Sequence, residues 1–171
     1  VTPLTITWAG LGIAVGGSVL IAFGHPLPGL ALWLVSRVAD GLDGVVARQG
    51  HTASAFGGFM DITLDMAAYS AMVVGFAVAH PEPAVLWATT LAGYVLAVTT
   101  TLALAAAAEK QGRLVAPGNR TFQFTRGLAE AGETTVVYAL WCLWPQAIVP
   151  VGWAWCALLL ASAVERGWVA R

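Results

Sequence analysis

Four aspartates lie close together in a strongly apolar part of the chain, at Asp40, Asp43, Asp61 and Asp65. Carboxylates are costly inside apolar helices, so a group of four indicates a functional site rather than an accident of packing. Hard divalent cations such as Mg²⁺, Mn²⁺ and Ca²⁺ prefer oxygen ligands, and four carboxylates could surround one or two of them. Without such compensation the buried negative charges would repel one another.

The spacing of these aspartates places each pair on one helix face. Asp40 and Asp43 are three residues apart, whereas Asp61 and Asp65 are four apart. Residues at these separations project from the same side of an α-helix. A short turn predicted at 49–56 would bring the two pairs to similar depth. The sequence therefore predicts one cation site built by two adjacent helices.

The helices that carry the aspartates belong to a chain with a membrane-like composition. It is 58% hydrophobic and 10% charged, with mean hydropathy +0.77, whereas about a quarter of the residues are charged in soluble domains. Since one span takes about 20 residues, the 171 residues leave no room for a separate soluble domain. We predict an all-α, polytopic membrane protein with one domain over residues 1–171 and six transmembrane helices near 4–24, 29–48, 57–79, 84–108, 122–144 and 149–168.

Positive charge is concentrated on one side of the predicted bundle. The connections on the other side contain no Lys or Arg, whereas six of the eight basic residues lie in or beside the 49–56 and 109–121 loops and at the C-terminus. The positive-inside rule makes this basic side cytoplasmic, and with it both termini and the aspartates. The first apolar run lacks a basic segment before it, so we expect no cleavable signal peptide. Because the chain opens on Val1 rather than Met, an incomplete N-terminus stays open.

Small and basic residues accompany the aspartates. Gly44 follows Asp43, and Gly57 lies one turn before Asp61. A missing side chain at these places permits close approach of a bulky phosphate or of a neighbouring helix. Arg48 could pair with phosphate oxygens through its planar guanidinium, or could extend its charge to the membrane surface.

The whole pattern resembles the signature of the CDP-alcohol phosphatidyltransferase family, which it matches at all eight specified positions. Eight residues across 26 positions make a specific signal. Pro3 and Thr7 also resemble a Pro-x3-Thr feature of these enzymes. In chain order the matching residues are Asp40-x2-Asp43-Gly44-x2-Ala47-Arg48-x8-Gly57-x3-Asp61-x3-Asp65.

The resemblance implies a role for each residue of the pattern. Asp65 would complete the metal site and act as general base. The metal ligands, for a pair of Mg²⁺ or Mn²⁺ ions, would be Asp40, Asp43, Asp61 and Asp65. The CDP pocket would be formed by Asp40, Gly44, Ala47, Arg48, Gly57, Asp61 and Thr7.

The resemblance also implies the reaction and its setting. An acceptor hydroxyl would attack the phosphorus of a CDP-activated donor and release CMP in phospholipid biosynthesis. The leading pair is CDP-diacylglycerol with a small polar alcohol, and a CDP-alcohol with a lipid acceptor stays open. We expect six membrane helices, a homodimer in a bacterial cell membrane surrounded by membrane lipids, an active site at the cytoplasmic face, and no nucleic-acid partner.

Further polar residues in the predicted spans are candidates for acceptor binding. Arg37 precedes Asp40 by one turn and could balance the carboxylates or contact a substrate. Arg126, Glu130 and Glu133 recur on one face of the fifth span, which fits either a charge-compensated helix contact or an acceptor pocket. The acceptor candidates are Arg37, Arg120, Arg126 and Glu133.

The aromatic residues are interpreted without a catalytic role. Tyr69 continues the face of Asp61 and Asp65, and we assign it to packing. Several tryptophans lie close to predicted span ends, where an interfacial belt explains them; the set considered is Trp33, Trp87, Trp141, Trp144, Trp153, Trp155 and Trp168.

Two other functions could use clustered aspartates. A divalent-cation transporter would place polar residues through the whole membrane and often has repeated halves, but here the carboxylates lie toward one face and no repeat is found. An intramembrane prenyltransferase shares the diphosphate chemistry but needs more spans than this length allows.

Overall fold

The computed structural model of the chain describes residues 3–49, 55–110 and 131–169, which form six α-helices and no strand. Side-chain descriptions in the second helix end at Gly41. The prediction of an all-α chain is confirmed for these ranges. The helices are α1 (Pro3–Ala22), α2 (Pro26–Gln49), α3 (Ala55–Ala79), α4 (Ala84–Lys110), α5 (Ala131–Leu143) and α6 (Ile148–Val169), with a 3₁₀ turn at Pro145–Ala147 before α6.

Four stretches of the described helices are long and apolar enough to cross a membrane: Thr5–Ala22, Phe56–Ala79, Ala84–Ala107 and Pro145–Trp168. Helix α2 is not among them because charged residues interrupt its apolar run, and the described part of α5 is only 13 residues long. The chain is thus a helical membrane protein. Six spans and cytoplasmic termini stay predictions.

The connection between α1 and α2 shows why the helices end where they do. Gly24 has φ +81°, a backbone conformation that glycine adopts without steric cost. The amide of Gly24 donates to the carbonyl of Ile21 at 2.9 Å, and that of His25 donates to Leu20 at 2.9 Å. This is the hydrogen-bond pattern of a Schellman cap. Pro26 then opens α2, where its fixed φ suits the first helical position.

Residues Val1–Trp87 form one compact unit, in which α1 packs against both α2 and α3. Small residues permit the close approach. A Cβ on Gly17 would lie 2.8 Å from the carbonyl oxygen of Gly29, and the hydroxyl of Ser18 donates to the carbonyl of Ala71 at 2.5 Å. Such contacts are typical of helices in lipid, where packing rather than hydrophobic burial drives association.

Residues Ala88–Arg171 form the second compact unit, which contains most of α4 together with α5 and α6. Its core holds a polar pair: the hydroxyls of Tyr94 and Tyr138 lie 2.8 Å apart. The indole of Trp155 donates to the Tyr94 hydroxyl at 3.2 Å. These hydrogen bonds satisfy polar groups that would be costly to bury without a partner.

Candidate functional site

Four of the predicted site residues of the first unit meet in a small open cleft where α1, α2 and α3 come together. On α1 and α2 the lining residues lie three or four positions after the first one, so one face of each of these helices turns to the cleft. The lining residues are Thr7, Gly10 and Leu11 from α1, Arg37 and Asp40 from α2, and Leu64 and Asp65 from α3.

Arg37 links the two carboxylates of the cleft. Its Nη1 donates to Oδ1 of Asp65 at 2.6 Å, across from α2 to α3. The same nitrogen lies 3.8 Å from Oδ2 of Asp40, one turn along α2. The side chains are partly shielded, with 13% of Arg37, 26% of Asp40 and 22% of Asp65 exposed. Charge-assisted hydrogen bonds of this length are stronger than neutral ones, so Arg37 fixes the Asp65 carboxylate in the cleft.

Two aromatic rings hold the guanidinium on its other side. Its central carbon lies 4.5 Å from the ring centroid of Trp33 and 5.3 Å from that of Tyr69, within the range of cation–π attraction. The rings themselves are 5.5 Å apart. The helix repeat explains the arrangement: Trp33 lies one turn before Arg37 on α2, and Tyr69 lies one turn after Asp65 on α3.

The structure brings together four of the residues named from sequence: Thr7, Arg37, Asp40 and Asp65 all line the cleft. Asp61 lies one turn before Asp65 on α3, is exposed, and does not line this cleft. Gly57 is likewise exposed, in the first turn of α3. Of the four aspartates, the structure thus places Asp40 and Asp65, from two helices, in one cleft.

Other predicted site residues lie elsewhere or outside the described part of the chain. Glu133 is exposed in the first turn of α5, in the second unit. Arg120 and Arg126 lie outside the described residues. Four residues of the family pattern belong to α2, but their side chains are also outside the description: Asp43, Gly44, Ala47 and Arg48.

Two aromatic residues of the site were not found by sequence reasoning. Trp33 was considered for an interfacial belt and Tyr69 was assigned to packing, yet both contact the guanidinium that joins the two carboxylates. Trp33 is fully buried, with 0% exposed, so the belt interpretation is wrong for it. The spacings Trp33-x3-Arg37 and Asp65-x3-Tyr69 were the available signal, since each places an aromatic ring beside a charge on one helix face.

The donor set of the cleft suits a hard divalent cation. Asp40 and Asp65 present carboxylate oxygens from two helices, and the described residues of the lining include no sulfur or imidazole ligand, which favours Mg²⁺ or Mn²⁺ over softer metals. Among the side chains that are described, no group of three or more His, Cys, Asp or Glu residues could hold a metal ion. Asp43, the residue best placed by spacing to add a ligand beside Asp40, is outside that set.

Comparison with known proteins identifies relatives over nearly the whole chain. The sequence model of the CDP-alcohol phosphatidyltransferase family matches residues 1–164. An inner membrane protein of Escherichia coli, YnjF, is 34% identical over 173 residues, which cover 98% of this chain and 82% of that protein. The archaetidylinositol phosphate synthase of Methanothermobacter thermautotrophicus is 40% identical over 70 residues, 41% of this chain and 36% of that enzyme.

The fold is also that of solved enzymes. The phosphatidylinositol phosphate synthase of Mycobacterium tuberculosis with CDP-DAG bound superposes with a TM-score of 0.76 at 23% identity, over 99% of this chain and 86% of that one. The same enzyme in complex with manganese and citrate gives 0.74 at 23% identity, over 99% and 82%. At this level of identity the likeness is one of fold.

Proposed function

This chain belongs to the CDP-alcohol phosphatidyltransferase family, and from that premise we propose that it transfers a substituted phosphate group from CDP-diacylglycerol to the hydroxyl of a small polar alcohol. CMP is the second product. The chain is thus an enzyme of phospholipid biosynthesis in a membrane, and the open question is which donor and acceptor it joins.

One structural observation carries the proposal: the aspartates Asp40 of α2 and Asp65 of α3 share a cleft with Thr7 of α1. These are the positions at which the family pattern places metal ligands, the general base and a nucleotide contact. A phosphoryl transfer needs donor, acceptor and charge stabilisation held in one place, and three converging helices supply such a place.

A divalent cation, Mg²⁺ or Mn²⁺, would be held by Asp40 and Asp65 together with Asp43 and Asp61. When bound, it would neutralise charge on the donor diphosphate and on the departing CMP. The ion pair with Arg37 engages Oδ1 of Asp65, and we assign Oδ2 to the acceptor hydroxyl. The manganese in the complex of the mycobacterial enzyme supports this choice of metal.

The protein's own residues would divide the remaining work. Asp65 accepts the proton of the acceptor hydroxyl as the hydroxyl oxygen attacks phosphorus. A carboxylate near a cation is a weaker base, so its position beside the hydroxyl matters more than its basicity. Gly44, Ala47, Arg48 and Gly57 shape the nucleotide pocket with Thr7, by correspondence with the family pattern.

Inositol phosphate is the first acceptor to test. The archaeal relative and the structural neighbour are both named as inositol phosphate lipid synthases, although the archaeal match covers only 70 residues. Arg120, Arg126 and Glu133 stay candidates for the acceptor pocket. A CDP-alcohol donor with a lipid acceptor uses the same motif and is the reverse arrangement to include in the test.

The wider setting is part of the proposal. We infer six spans, both termini and the cleft on the cytoplasmic side, and a homodimer in a bacterial cell membrane. The charge distribution of the loops supports the orientation. The family membership argues against the alternative of a divalent-cation transporter.

The experiment is a CMP-release assay on purified protein in detergent. CDP-diacylglycerol would be supplied with Mg²⁺ or Mn²⁺ and, one at a time, inositol phosphate, glycerol 3-phosphate and serine. We expect metal-dependent CMP release with one acceptor and none after chelation by EDTA. No release with any of these pairs, nor with a CDP-alcohol and diacylglycerol, would sink the proposal. Cation flux into proteoliposomes without nucleotide would instead favour transport.

A further inference from the structure

Arg37 already occupies the carboxylates to which the proposed function assigns a divalent cation. Its Nη1 contacts Asp65 at 2.6 Å and approaches Asp40 to 3.8 Å. A cation shared by these two carboxylates would therefore add a second positive charge close to the guanidinium. Two like charges that are close together in partly buried surroundings repel strongly.

The guanidinium is also held so that it cannot easily leave. Trp33 and Tyr69 contact it through their ring faces. The hydroxyl of Ser36, which is fully buried, accepts from Nε at 3.3 Å and from Nη2 at 3.1 Å. Within the described part of the chain, its partners other than the carboxylates, Ser36, Trp33 and Tyr69, are neutral. Arg37 is thus held in place by neutral groups that a cation bound to the carboxylates would not displace.

We propose that Arg37 is a resident countercation: it neutralises Asp40 and Asp65 while the cleft holds no metal, and it lowers the affinity of the same carboxylates for a divalent cation. The inference rests on the metal site of the proposed function. It adds that the protein is stable without metal, because an internal charge compensates the aspartates, and that cation binding is weaker than four carboxylates alone would make it.

A positioning residue of this kind has two opposite effects when its charge is removed. The aspartates then lack compensation, so the metal-free protein becomes less stable. The cation no longer meets a fixed positive charge, so it binds more tightly. Loss of a residue that merely supports the structure would lower both the stability and the metal affinity, because a distorted site binds its metal less well.

The test is a titration of purified, metal-free protein with Mn²⁺, in which the electron paramagnetic resonance signal measures the free ion. Melting temperature is recorded with and without Mn²⁺. For Arg37→Gln we expect Mn²⁺ affinity at least about tenfold higher than in the wild type, a lower melting temperature without metal, and a larger rise on adding Mn²⁺. Arg37→Lys keeps the charge and is expected to bind Mn²⁺ within about threefold of wild type.

Arg166→Gln is the matched control. Arg166 is a buried arginine of the second unit whose Nη1 donates to the carbonyl of Ala97, and its loss is expected to leave Mn²⁺ affinity unchanged. Equal or weaker Mn²⁺ binding by Arg37→Gln overturns the proposal. So does Arg37→Lys if it gains affinity as Arg37→Gln does. If Arg37→Gln does not fold, Arg37→Lys carries the test. Mn²⁺ affinity within about threefold of wild type then supports the proposal, and a clear gain in affinity overturns it.

Failure of the proposed function gives a different result. If wild type and all variants bind no Mn²⁺, the cation site itself is wrong and the countercation falls with it. If wild type binds Mn²⁺ but releases no CMP with any donor, the proposed reaction fails, whereas the affinity difference between Arg37→Gln and Arg37→Lys still stands or falls by itself.

Discussion

Gly17 of α1 and Gly29 of α2 face each other so closely that neither position has space for a side chain. A Cβ on Gly17 would lie 2.8 Å from the Gly29 carbonyl oxygen, and one on Gly29 would lie 2.7 Å from that of Gly17. Two turns further along the same interface, Gly10 lies against Ser36. This contact sets the separation of the two helices that carry Thr7 and Arg37 to the cleft.

Replacing Gly17 by alanine is therefore expected to destabilise the protein. The added methyl group meets backbone rather than a flexible side chain, so the helices must separate, at a cost of about 1–3 kcal/mol. Gly12→Ala is the matched control on the same helix, because a Cβ there meets nothing within 4 Å. It is expected to keep or slightly raise stability, since alanine favours helix. Thermal unfolding in detergent measures both, and equal melting temperatures would contradict the contact.

The hydroxyl of Tyr94 is the centre of the polar network in the second unit. It accepts from the indole of Trp155 at 3.2 Å and lies 2.8 Å from the Tyr138 hydroxyl. Tyr94→Phe removes the acceptor of Trp155, whereas Tyr138→Phe leaves that bond in place. We expect Tyr94→Phe to cost about 1–2 kcal/mol of stability and Tyr138→Phe less. Thermal unfolding of both variants tests the order, and a larger loss for Tyr138→Phe would refute it.

The helical framework followed from the sequence because proline and glycine mark its turns. The second span was predicted at 29–48 and α2 runs Pro26–Gln49, and the third was predicted at 57–79 and α3 runs Ala55–Ala79. A short apolar segment that is bounded by proline or glycine has few alternatives to a helix. The fifth span, predicted at 122–144, agrees with α5 only over its described part, Ala131–Leu143.

The arrangement of charges within the site was harder to predict. Helical spacing placed Asp61 and Asp65 on one face of α3, but the lining of the cleft includes only Asp65. Which of two neighbouring residues faces a site depends on the rotation of the helix about its axis, and that rotation is set by packing at Ser18 and Gly75 between α1 and α3. Spacing alone contains no such information. It indicates that Arg37 could balance the carboxylates, but it does not identify Asp65 as the partner.

The orientation in the membrane can be tested at Glu82, an exposed residue of the turn between α3 and α4. The proposed topology places this turn outside the cytoplasm, so Glu82→Cys in intact cells should react with a membrane-impermeant thiol reagent. Lys110→Cys, at the exposed end of α4, should react only after the cells are opened. The native cysteines, Cys142 and Cys156, are buried and give little background. The opposite labelling pattern would reverse the topology.

Thr7 of α1 lines the cleft and is the lining residue that carries a hydroxyl. Thr7→Val keeps its volume and removes the hydroxyl, so we expect KM for the CDP donor to rise about tenfold with kcat less affected, as for loss of a hydrogen bond to a charged group. Thr5→Val is the matched control, since Thr5 is exposed on the same helix and does not line the cleft. An unchanged KM in Thr7→Val would exclude Thr7 from donor binding.

Asp65 carries the most direct prediction for the chemistry. Asparagine keeps the shape of the side chain and can still accept from Arg37, but it cannot take a proton from the acceptor hydroxyl. We therefore expect Asp65→Asn to lower CMP release at least about a hundredfold, the usual contribution of a general base, and to weaken binding of CDP-diacylglycerol much less. Turnover and donor binding of Asp65→Asn must be measured on the same preparation. Glu82→Gln, which removes an exposed carboxylate in the turn after α3, is the control and should retain full activity. If Asp65→Asn remains active, the proton is taken by another group; if donor binding falls in parallel with turnover, Asp65 acts chiefly as a ligand of the cation.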